Sequence, residues 1–473
     1  MPAPAPPPLY RALRAVVRAL VAVFFRRVWV EGLADVPPGR GGLLVAWHPN
    51  GIVDPALMVA AFPGQVVFGA RDGLLRWPVL GALMRGLGTV PIYRAQDGGD
   101  PEARRAANAK SLAALADRVA AGSFAALFPE GVSHDDPHLA EVKTGAARLF
   151  FEAQAQVARD GAAAPPVVVP VGLHYDRKDA WRSDAVVAFH PPLDVRGLDR
   201  ADDPVHALTD RIEGALVEAV RPTEDWATHR LMHRAYALLR AEDDLRDGVR
   251  ARRASFRERS RGFGMVWEGY HARRASHPAE VEALRRDTAA YDRLLRAAGL
   301  DDADLDRAPR VASPLLAVLF AVQAVLVVLF LPPVLLLGFV VNGPPFLLLN
   351  ALARRLASAQ KDTATIKLLG GVVLYPLAWL VAGVLAGVGA ARLHALFPAL
   401  PDAPLLAGLA VLALSAVGGA LALRWGELVQ ETRRAVRVRR VRARRRDVVA
   451  RLQNQRMDLA ERFRGLAEGL DLA

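Results

Sequence analysis

The chain has 473 residues, enough for two or three domains, and its 52% hydrophobic content with positive mean hydropathy makes it more apolar than an ordinary soluble enzyme. The absence of cysteine excludes disulfides and any thiolate zinc site. A formal net charge of +12 and an isoelectric point of about 10.5 favour an anionic partner, either nucleic acid or a membrane surface.

Residues 1–29 read as a basic amphipathic segment. Arg11, Arg14 and Arg18 recur at helical spacing, with Leu13, Val17, Leu20, Val21 and Phe24 mostly elsewhere around the helix. Such a helix either lies in a membrane interface, with Arg26 and Arg27 near headgroups, or packs on the domain that follows. No cleavable signal is evident, since the uncharged run Ala19 to Phe25 is too short to span a bilayer.

Residues 30–221 alternate between short apolar runs and helical periodicity. Gly42 to Trp47, Val66 to Phe68, Thr89 to Tyr93, Ser123 to Phe128, Val167 to Val171 and Ala185 to Phe189 are strand candidates. Pro55 to Ala61, Ala103 to Ala121 and Gly145 to Ala155 are helix candidates. The alternation predicts an α/β domain, a mixed sheet flanked by helices. In Val167 to Gly172, β-branched residues on both faces imply a sheet covered on both sides. Pro170 predicts an edge position or a bulge for that strand.

Residues 222–310 are rich in Arg, Glu, Asp and Ala and read as a charged helical insert. Residues 311–424 read as transmembrane. Val311 to Ala353 holds 43 residues without a charge, against the roughly 20 needed to cross a bilayer. Pro332-Pro333 and Gly343-Pro344-Pro345 predict two short crossings or a re-entrant hairpin there. Leu368 to Ala391 and Ala403 to Leu423 are further spans. Residues 425–473 read as a basic helix, and the arginine-dense run Arg433 to Arg446 is expected to be cytosolic beside anionic lipid. With Arg354, Arg355, Lys361 and Lys367 on the same side, an even number of crossings is expected.

Four clusters in the first half carry chemistry: His48-Pro49-Asn50-Gly51-Ile52-Val53-Asp54, then Gly88 to Arg94, Phe128-Pro129-Glu130-Gly131, and Val167 to Gly172. A reaction at a substrate hydroxyl needs a base to take its proton. Histidine suits that task, and a carboxylate on its other ring nitrogen fixes the tautomer. His48 and Asp54 are the candidates. Five residues separate them, which on a regular helix places them about 240° apart, so the segment must turn, and Pro49 with Asn50-Gly51 supplies the turn chemistry. Asp54-Pro55 reads also as a helix N-cap and first helical residue, the structural alternative for Asp54. Gly131 to Asp135 lacks the second glycine of a nucleophile elbow, so no acylated serine is expected.

In order and spacing the four clusters resemble the blocks of the glycerophospholipid acyltransferase superfamily. The five-residue gap followed by Asp-Pro resembles its fungal-type branch, which acylates glycerol 3-phosphate or dihydroxyacetone phosphate. Gly172-Leu173-His174-Tyr175, Trp181 to Phe189 and Tyr291 to Leu300 extend the likeness over most of residues 24–300. The resemblance implies that His48 is the general base and Asp54 its orienting carboxylate. It implies that Arg94 holds the acceptor's phosphate, Glu130 its glycerol hydroxyls, and that Gly88, Gly131 and Lys143 line the same acceptor site. Lys143 reads equally well as a surface lysine. Val169 and Pro170 would line the acyl pocket.

No cofactor or metal is implied; the co-substrate is acyl-CoA or an acyl carrier protein thioester. The expected partners are a phospholipid membrane and glycerol 3-phosphate or lysophosphatidate, not nucleic acid, for which no aromatic-interleaved recognition motif is present. The expectation is thus sn-1 acylation of glycerol 3-phosphate or dihydroxyacetone phosphate, with sn-2 acylation of lysophosphatidate as the alternative. A transporter with an inactive fused domain is the reading from another class. The expected location is a membrane, with a cytosolic catalytic domain, as in a bacterial inner membrane.

Overall fold

The computed structural model describes residues 6–93, 100–159, 164–249, 254–306, 332–357 and 359–470. The chain divides into two units. The first holds residues 1–230 with 255–264 and 359–365, and the second holds 231–254, 265–358 and 366–473.

The first unit is built on a seven-stranded sheet of order β1-β7-β6-β2-β5-β3-β4. The strands are β1 (Phe25–Glu31), β2 (Gly42–Ala46), β3 (Val66–Arg71), β4 (Val90–Ile92), β5 (Phe124–Leu127), β6 (Val167–Tyr175) and β7 (Ser183–Phe189). Only β6 and β7 pair antiparallel, so β1 and β7 run against the other five strands and the sheet is mixed. Its middle strands are apolar on both faces because helices cover both. Leu43, Val45, Val67, Ala125 and Val168 are buried together with Leu115 and Val119 of α3 (Pro101–Ala120), Leu149 and Phe150 of α4 (Gly145–Arg159), and Leu208 and Ile212 of α5 (Pro204–Val220).

Residues 6–29 are not separate from this domain. Helix α1 (Pro8–Phe24) buries Tyr10, Val17, Val21 and Phe24, and the chain continues directly into β1 at the sheet edge. The charges that disguise this strand are accommodated locally: Arg26 makes a two-pronged ion pair with the buried Asp184 of β7.

Pro170 is neither at an edge nor in a bulge, since β6 lies between β2 and β7. Pairing with β7 begins only at Val171, while the Pro170 carbonyl accepts from His190 N at 2.9 Å. A residue's N and C=O point to the same side of a strand, so the missing N–H falls where the β7 ladder has not yet begun.

The second unit is helical among its described residues. Its apolar cluster joins Leu238, Leu284, Tyr291, Leu295, Leu305, Val438, Leu452 and Leu459. Among the described residues three helices are long and apolar enough to cross a membrane, by length and composition: Leu336–Leu356, Gln360–Leu396 and Pro404–Arg444. The first belongs to a helix over Pro332–Leu356 that runs unbroken through Pro344 and Pro345, where a break was expected. Each proline removes one ladder bond, and Asn342, donating to Gly338 O and Ser415 O, adds side-chain bonds just before them. The start of the long uncharged run, residues 311–331, lies outside the described residues. The arginine-dense run continues the helix Pro404–Arg444, and a further helix follows over Arg446–Ala467.

Candidate active site

Strands β2 and β5 are parallel neighbours, with Val45 opposite Leu127, so the segments that leave their carboxyl ends lie side by side. One carries His48 and the other Phe128-Pro129-Glu130. In open α/β sheets this end of the strands is where ligands bind.

The turn between His48 and Asp54 forms with Gly51 at φ +52°, and α2 (Val53–Ala61) follows. The helix begins one residue before Asp54, and its N-cap position is Ile52. Asp54 is therefore not the cap. Its fully buried carboxylate turns back, and Oδ2 lies 2.8 Å from His48 Nδ1 while accepting from Asn50 N at 2.8 Å. Oδ1 accepts from the Tyr175 hydroxyl at the end of β6. Burial and the Asp54 charge push the Tyr175 phenol well above its ordinary range, which keeps it a donor. The carboxylate engages the ring at Nδ1, so Nε2 is the ring nitrogen that Asp54 leaves unengaged. The His48 side chain retains 19% of its exposure, whereas Asp54 has none.

Phe128 stacks on the imidazole, with ring centroids 4.0 Å apart and planes within 12°. His48 N donates to Glu130 Oε1 at 3.2 Å, and His134 N donates to His48 O at 3.2 Å. Lys178 Nζ holds Pro49 O at 3.1 Å and pairs with Asp135, while Asn50 Nδ2 donates to Lys178 O at 3.0 Å.

The structure thus brings His48, Asp54, Glu130 and Gly131 together, but it places Glu130 differently from the expectation. The Glu130 side chain is fully enclosed; Oε1 takes His48 N, and Oε2 takes Ala140 N at 2.7 Å and the ring of His134. Both oxygens take protein donors, so in this structure Glu130 ties the His48 segment to the stretch around His134 and Ala140. Its bond to His134, against some burial, raises that imidazole's pKa. Gly131 has φ +71°, and a side chain there would meet Lys143 Nζ at 3.1 Å, so the exposed Lys143 lies over this turn. Gly88, at φ +83°, closes a turn against Val67. Arg94 lies outside the described residues. Val169 and Pro170 are buried within the sheet, opposite Leu44 and Val45.

Sequence reasoning assigned no role to Tyr175, His134, Asp135 or Lys178. Tyr175 closes the Gly172-Leu173-His174-Tyr175 stretch that extended the likeness, and in the structure that stretch lengthens β6 enough to reach Asp54.

Residues 27–174 match the acyltransferase family, and residues 265–471 match the glycerol-3-phosphate acyltransferase 2 C-terminal domain. The chain carries an acyltransferase-family domain. Over 127 residues it is 31% identical to glycerol-3-phosphate O-acyltransferase 2 of Saccharomyces cerevisiae, covering 26% of this chain and 17% of that protein. Over 205 residues it is 30% identical to a lyso-ornithine lipid O-acyltransferase of Rhodobacter capsulatus, covering 38% of this chain and 66% of that protein. The chain therefore spans less than two thirds of the length of either relative. The crystal structure of the 1-acyl-sn-glycerophosphate acyltransferase of Thermotoga maritima aligns with 45% of the chain at 18% identity and a TM-score of 0.34, a likeness too slight to carry an argument.

Proposed function

We propose that the acyltransferase domain moves a fatty acyl group from a thioester, of coenzyme A or an acyl carrier protein, to a hydroxyl of a glycerophosphate-type acceptor. The observation that carries this reading is the buried Asp54 carboxylate on Nδ1 of the partly exposed His48 ring, which leaves Nε2 to act as the base. His48 takes the acceptor's hydroxyl proton as the oxygen attacks the thioester carbonyl. The carbon–sulfur bond breaks as the ester forms, and the imidazolium returns the proton to the departing thiolate. Arg94 supplies the planar fork that suits a phosphate.

The acceptor we favour is glycerol 3-phosphate or dihydroxyacetone phosphate at the sn-1 position. Its support is the match of residues 265–471 to a domain named for a glycerol-3-phosphate acyltransferase. The lyso-ornithine lipid relative favours a second reading, a lyso-lipid acceptor such as lysophosphatidate. Catalytic efficiency of the purified full chain on glycerol 3-phosphate, dihydroxyacetone phosphate and lysophosphatidate, with one acyl donor, separates the two. Preference for lysophosphatidate overturns the first reading, and no transfer to any acceptor overturns both.

A further inference from the structure

The loop that carries His48 is held partly by residues far outside the acyltransferase match. Residues 359–365 group with the first unit, although they begin the helix Gln360–Leu396. Lys361 and Thr365 are one turn apart on that helix and share a face. The Thr365 hydroxyl accepts from Ile52 N at 3.3 Å, filling one of the unpaired donors at the start of α2. The approach is close: a Cβ on Gly51 would sit 2.7 Å from Thr365 Oγ1 and 3.5 Å from Lys361 O.

The same turn grips the other catalytic loop. Lys361 N donates to Asp135 Oδ2 at 3.2 Å, so Asp135 caps the helix start, and Lys361 Nζ donates to Ser133 O. Asp135 Oδ1 in turn holds Lys178, whose ammonium also reaches Pro49 O next to His48. Two paths therefore run from this helical turn to the His48 loop, one through Ile52 and one through Asp135 and Lys178.

We infer that Thr365 and Lys361 are positioning residues for His48, so that the acyltransfer site is completed by the leading turn of an apolar helix beyond the acyltransferase domain. This rests on the acyl-transfer reading of His48, and the test separates the two. In the full-length protein, Thr365→Val keeps the shape and removes the acceptor oxygen, while Thr365→Ser restores it. Amide exchange over residues 47–57 is expected to quicken about tenfold in Thr365→Val and to stay at the wild-type rate in Thr365→Ser, with residues 167–175 unchanged in both. The valine variant is expected to lose about tenfold in kcat at constant KM for donor and acceptor, and the serine variant to recover it. Unaltered exchange in Thr365→Val overturns the brace. Unaltered kcat with faster exchange overturns its role in placing His48. A wild type inactive on every acceptor overturns the acyl-transfer reading alone, because the exchange result still decides the brace.

Discussion

The Asp54 site of the first unit and the Arg456 network of the second bury charge in opposite ways. In the second, Arg456 is 1% exposed and reaches Glu242 at 2.5 Å, the Asp302 carbonyl at 2.8 Å and Asp306 at 2.9 Å. Arg234 binds Asp292 at 2.8 Å and Asp302 at 2.5 Å, and Tyr291 donates to Asp302 at 2.5 Å. Here guanidinium and carboxylate groups face one another within a closed network. In the first unit, the buried Asp54 meets an imidazole, a phenol and a backbone amide, and the imidazole still reaches solvent. A network closed on itself stabilises a structure. One left open at a single nitrogen has a site for an incoming proton.

If this contrast is right, His48→Ala produces the largest effect on activity and little on stability. General-base assistance is worth about 10²–10⁴-fold. The kcat is expected to fall by that factor while the thermal midpoint of the full chain holds, and Asp54→Asn is expected to approach the same loss by releasing the tautomer. Arg456→Ala is expected to do the reverse. Removing one partner from a buried ionic network costs about 3–5 kcal/mol, so the unfolding midpoint drops well below wild type while folded protein keeps its KM values.

A finer distinction lies within the open site. Tyr175→Phe removes one hydrogen bond to a carboxylate, worth about 1.5–3 kcal/mol, and is expected to lower kcat at least tenfold without raising KM. Arg94→Lys is expected to act on binding, raising KM for glycerol 3-phosphate about tenfold because the fork is lost. Its silence would favour the lyso-lipid acceptor.

The smallest effect concerns pH. Burial, with Arg221, His190 and His229 nearby, pushes His174 down to about 3. Its folded pKa lies below its unfolded one, near 6.5, so its stabilising share is complete above about pH 6.5 and falls away as pH drops toward 3. Urea midpoints measured across that interval should decline for the wild type and decline less for His174→Gln.

How far these features could be read in advance follows from the range of the interactions. Six strands were legible because short apolar runs, most with β-branched residues, mark them, and the His48–Asp54 pair because both lie in one short motif. Strand β1 was hidden, since Arg26, Arg27 and Glu31 resemble an interfacial segment until Asp184 is seen opposite. Tyr175 and Glu130 act across 121 and 82 residues of sequence, and Thr365 across 313. No periodicity reports a bond of that kind. The unbroken helix at Pro344-Pro345 is a local signal overridden by an apolar context.

The order of the sheet has a consequence for the chain while it is still folding. Its two outer strands are β1 and β4, the places where a foreign strand would add. Strand β4 has three residues, one of them Pro91, and β1 bears Arg26, Arg27 and Glu31. Short length, proline and charge all discourage edge-to-edge growth. Aggregation of newly made protein is therefore expected to begin at the apolar helices of the second unit and not at the sheet, so that a membrane or detergent, more than dilution, should keep it soluble.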